Sequence, residues 1–127
     1  MDMVTLLLAL QLSLPNRDAT PAMVRPLPIA AICTTKWGLD KRHVTLAMKR
    51  AVARRAGIPE SDWSRYVFDH IVPRQLAGAD DVANLQLQLK AVAKRKDVDE
   101  TRLHRAVCAG QVSLGAAQRE MVRWRPR

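Results

Sequence analysis

Along the chain, hydrophobic positions fall into helical stripes and short strand-like runs. Asp40 to Arg55 predicts a helix: Val44, Met48 and Val52 recur at i, i+4, and Ala47 and Ala51 widen the stripe. Asp40 is the expected N-cap, and Gly57 followed by Pro59 the stop. Tyr66 to Pro73 (YVFDHIVP), β-branched and aromatic, predicts a strand. Gly78 and Asp80-Asp81 mark a loop, and Asn84 to Leu89 (NLQLQL) alternates as a half-buried strand does. Lys90 to Ala109 predicts a helix with Leu103 and Val107 on one face and Gly110 at its end. A fresh helix starting at Asp97, with Glu100 completing a capping box after a kink, is the alternative. Ser113 then caps a last helix, Leu114 to Trp124, which Pro126 ends.

The beginning of the chain has a different texture. Val4 to Leu14 is nearly all apolar, too short for a bilayer span, which needs about 20 residues. It resembles the hydrophobic region of a secretory signal, with Thr20-Pro21-Ala22 as small residues near a cleavage point, but Met1-Asp2-Met3 lacks the usual Lys or Arg. The chain is therefore expected in the periplasm or secreted if residues 1–22 are a signal peptide, and cytoplasmic otherwise. Four prolines in residues 15–32 suggest an extended linker. The expected division is a hydrophobic segment and Pro-rich linker over 1–31 and one domain over 32–127.

Charge sharpens this division. The 127 residues carry a net charge of +9, and all of the excess lies in residues 33–127, where 19 basic side chains face 10 acidic ones. A basic domain attracts polyanions and gains affinity by displacing counterions from phosphate. The polar face of the helix predicted over 40–55 carries Lys41, Arg42, Lys49, Arg50, Arg54 and Arg55, with no acid between 41 and 55. These six are the candidate nucleic-acid contacts, set against the plainer reading of a solvated face. Cys33 and Cys108 have no zinc-type spacing. They form one long-range disulfide in an exported chain, or are two buried small hydrophobes.

The candidate chemistry centres on Asp69-His70. Phosphodiester hydrolysis uses oxygen ligands for a hard divalent cation and a neutral imidazole to take a proton from water. Neighbours on a regular strand point to opposite faces, so the two side chains converge only where the strand bends or ends, as Pro73 suggests. The stretch DHIVPRQLAGADDVANL, residues 69–85, resembles the HNH endonucleases. The likeness extends over Ile32-Cys33, helix 41–55, Lys96-Asp97 with Glu100, Leu103-His104, Val107-Cys108 and Ala117-Gln118, about residues 32–124.

The resemblance implies an α+β fold with a ββα-metal core: a two-stranded antiparallel hairpin and a helix, flanked by further helices. It implies a metal-dependent endonuclease acting on DNA, with no organic cofactor. The metal is expected to be Mg²⁺, with Mn²⁺, Ni²⁺ or Zn²⁺ as alternatives. Asp69 matches the metal-ligand acid, His70 the general base, and Asn84 the residue that fixes the loop and orients the His. The family's usual glycine pair is here Ala77-Gly78, so Ala77 must tolerate the backbone angle. The family's helix ligand is missing: Ala91 to Lys96 contains no His, Asn, Asp or Glu. Asp97 is the nearest substitute, with Glu100 and His104 on the same helix face. A non-cleaving HNH-like nucleic-acid-binding protein is the alternative function.

Overall fold

Tyr66–His70 (β1) and Leu85–Leu89 (β2) pair antiparallel, in register from Tyr66 opposite Leu89 to His70 opposite Leu85. This pairing belongs to a computed structural model that describes residues 22–126. Helices Ile29–Thr34 (α1) and Leu46–Ala56 (α2) precede the hairpin; Lys90–Cys108 (α3) and Leu114–Arg123 (α4) follow it. The fold is α+β, with one two-stranded sheet among the described residues. No helix of the described residues is long and apolar enough to cross a membrane.

The hairpin lies between two apolar clusters. Val52 and Ala53 of α2 pack with Phe68 and Leu85, and Trp63 meets Phe68 edge-on at 5.0 Å. On the other side Ile71, Val72 and Leu76 pack with Leu103 and Val107 of α3 and with Met121 and Val122 of α4. The low aromatic content thus gives a core of aliphatic side chains and Met. Helix α3 begins at the residue after β2 and packs against both strands, running unbroken through Asp97 without the kink considered above. Ser113 caps α4 by accepting from the Ala116 N–H, as expected.

Two expectations are corrected. The first concerns the helix predicted from Asp40, which starts at Leu46 with Thr45 as its N-cap. Asp40 cannot serve because Arg74 takes it: the guanidinium pairs with the Asp40 carboxylate at 2.6 Å and donates to the carbonyls of Asp40 and Lys41. The stretch before the helix is stapled to the hairpin loop instead of being wound.

The second concerns the Pro-rich stretch, which is not a spacer over its described part. Met23 is fully buried in the main core, Val24 bridges Gly78, and the backbones of Met23 and Arg25 bond to Ala79 and Ala77. Prolines permit this course because the neighbouring N–H groups find partners in the hairpin loop. The expected boundary at residue 32 therefore lies inside packed structure. Residues 1–21, with the signal-like segment, lie outside the described residues.

Cys33 and Cys108 form a disulfide that joins the end of α1 to the end of α3. His104, one turn before Cys108, bonds the Ile32 carbonyl at 3.1 Å across the same joint.

Candidate functional site

The chain between the strands makes two short 3₁₀ turns, Arg74–Leu76 and Val82–Asn84. Asn84, fully buried, holds them together: its amide oxygen accepts from the Val72 N–H at 2.9 Å, and its NH₂ donates to the carbonyls of Val72 and Ala79. Asn84 thus ties the loop, but its amide hydrogens go to Val72 and Ala79, so the part expected of it in orienting the His70 ring falls to another residue. Ala77 does take the left-handed conformation, at φ 65°. Gly78 is required beside it, since a Cβ there would collide with the Val72 carbonyl.

The strand ends at His70, the last paired residue of β1. His70 is buried, and its Nε2 lies 2.7 Å from Oδ1 of Asp80 in the loop. The other Asp80 oxygen accepts from the His43 backbone N–H at 2.7 Å, and Arg74 Nε stands 3.3 Å from Oδ1. Burial pulls the imidazole below its ordinary pKa of 6.5, against the upward pull of Asp80. Burial pushes the Asp80 carboxyl the other way, but the His43 N–H, His70 and Arg74 together hold it below its ordinary range. An ionised carboxylate accepts the Nε2–H, which leaves the lone pair of a neutral ring on Nδ1. Asp80, by its spacing only a loop marker, is thus the partner of His70.

Asp69 faces other company. Its Oδ2 accepts from Lys96 Nζ at 2.6 Å and from Gln86 Nε2, its cross-strand partner, at 3.1 Å. The Lys96 ammonium also donates to the His70 carbonyl at 2.6 Å, and Lys96 is 1% exposed. Glu100, one turn further along α3, is buried as well. Burial raises its carboxyl to about 8, Lys96 opposing and Asp69 and Asp97 adding to the rise. Asp97, the expected second ligand, is exposed and hydrogen-bonded to Glu100, so Lys96 is the helix residue that meets Asp69. His104 is engaged at the α1 joint and does not join the hairpin.

This donor set does not fit a divalent ion. The carboxylate expected to hold it already carries an ammonium, and no group of three His, Cys, Asp or Glu suited to a metal occurs among the described residues. The expected convergence of Asp69 and His70 is replaced by two separate clusters, as strand alternation dictates.

The six candidate nucleic-acid cations divide. Arg42 donates to the Phe68 carbonyl, Arg55 to the carbonyls of Val82 and Leu85, and Lys49 lies 5.5 Å from the centre of the Phe68 ring. These three help hold α2 and its lead-in to the hairpin. Lys41, Arg50 and Arg54 are exposed, as are Arg42 and Arg55 despite these bonds, while Lys49 is half-buried. Lys41 and Arg42 precede α2 and so do not share its face. Trp37 and Trp124 donate to Ile32 and Asp99, in keeping with anchoring roles. An open groove along α3, lined by Asp97, Val98, Thr101, Arg102 and Arg105, contains none of the hairpin residues. Compared with models of protein families, with curated proteins and with solved structures, the chain matches none.

Proposed function

We propose that this chain is an HNH-like protein that binds DNA and hydrolyses its phosphodiester bonds, with His70 as the base. One observation carries the reading: the His70 imidazole at the end of β1 lies 2.7 Å from the Asp80 carboxylate, and burial lowers its pKa, which favours the neutral form a base needs. Water attacks phosphorus, its proton passes to His70, and the ester bond to the leaving oxygen breaks as that oxygen gains a proton from solvent. The exposed Lys41, Arg50 and Arg54, with the outer edge of Arg42, supply charge for the DNA backbone. The antiparallel hairpin, the Asn84 clamp and the helix entering directly from β2 support the ββα assignment that the motif implies. The Cys33–Cys108 disulfide supports a periplasmic or secreted location, since such bonds persist in oxidising compartments.

Nicking of supercoiled plasmid tests the activity. Wild type is expected to cut, His70→Ala to lose at least about a hundredfold in rate. Equal cutting by both overturns His70 as the base. The ion pair on Asp69 favours a second reading, a protein that grips DNA without cutting. That reading predicts salt-sensitive binding with no nicking in any divalent ion.

A further inference from the structure

We infer that the Lys96 ammonium is the built-in cation of the Asp69 corner, standing where a divalent ion would be held, so that the hairpin operates with no metal at Asp69. The oxygens gathered there are those a hard cation takes: the Asp69 carboxylate, the His70 carbonyl and, close by on α3, the Glu100 carboxyl. Lys96 Nζ reaches the first two at 2.6 Å each, and Gln86 donates to the same carboxylate oxygen. An ion bound to that oxygen would meet the ammonium at close range as a like charge. The ammonium cannot swing aside cheaply, because Lys96 is 1% exposed and its Nζ is held by two oxygens at 2.6 Å.

This inference rests on the Asp69–Lys96 geometry and is independent of whether the protein cuts DNA. Its readouts are metal binding and melting of the full chain. Electron paramagnetic resonance with Mn²⁺ should show no binding in wild type that Asp69→Asn abolishes, and neither EDTA nor millimolar Mn²⁺ should shift the melting temperature. Lys96→Ala should melt lower, and Mn²⁺ should raise its melting point by several degrees, a response that adding Asp69→Asn removes. Asp69-dependent Mn²⁺ binding by wild type overturns the inference. A folded Lys96→Ala chain indifferent to Mn²⁺ overturns it too. If Lys96→Ala does not fold, the comparison of wild type with Asp69→Asn decides alone. Loss of nicking in His70→Ala bears on the proposed activity and leaves this result untouched.

Discussion

Asp69 and His70 are consecutive residues of one strand, yet their side chains sit in differently built surroundings. Asp69 is sealed beneath α3 by a buried ammonium that cannot reach a ligand in solvent. His70 is held by a loop carboxylate that is itself half-buried and tied to the lead-in of α2. The difference follows from strand geometry: alternation sends one side chain toward the helix and its neighbour toward the loop. A two-residue motif thus becomes a buried ion pair and an imidazole held by a loop carboxylate, and changes to the two corners should have separable consequences.

The largest effect is expected at the helix corner. Lys96→Met leaves Asp69 buried without its cation and should cost about 3–5 kcal/mol in urea unfolding. Adding Asp69→Asn should restore most of that loss. Without such recovery, the pair is not the unit described here.

Next comes the clamp of the loop between the strands. Asn84→Ala removes three hydrogen bonds from buried backbone groups and should cost about 2–3 kcal/mol, again by urea unfolding. An Asn84→Ala chain as stable as wild type would show that the loop holds itself.

A smaller effect distinguishes the helix corner by pH. The Glu100 carboxyl is raised from 4.5 to about 8, so the folded chain binds the extra proton between those values. Its stabilising contribution is full below about pH 4.5 and is lost as pH rises through 8. Glu100→Gln should flatten this slope and gain on the order of 1–2 kcal/mol above pH 8, seen in melting curves across pH.

The smallest change in stability is expected at the loop corner, with a clear change in titration. The depressed His70 pKa makes its contribution present above about 6.5 and lost as pH falls through the folded value. Asp80→Asn removes an upward pull and should move the imidazole midpoint lower still by NMR, while costing about 1 kcal/mol or less at pH 7. A midpoint that rises instead would mean that Asp80 does not orient the ring.

Local patterns carried much of this architecture. The aromatic, β-branched run gave β1, the alternation of NLQLQL gave β2, and Gly110 and Ser113 bounded the helices. What the pattern concealed depends on partners distant in sequence. Asp40 looks like a cap until Arg74 claims it. Lys96 reads as a surface residue, because lysines are almost never buried unless paired, and its partner lies 27 positions earlier. Asp80 is an ordinary loop residue by spacing, and nothing local marks it as the partner of His70. Asp97 is nearest in sequence to the place of the missing helix ligand, whereas the helix turns the preceding residue inward.

The bond between Cys33 and Cys108 closes a covalent ring that includes both strands, the loop between them and nearly all of α3. A protease that cuts once within this ring opens it without separating any fragment. The nicked product would run as one species on a gel until a reductant releases its pieces.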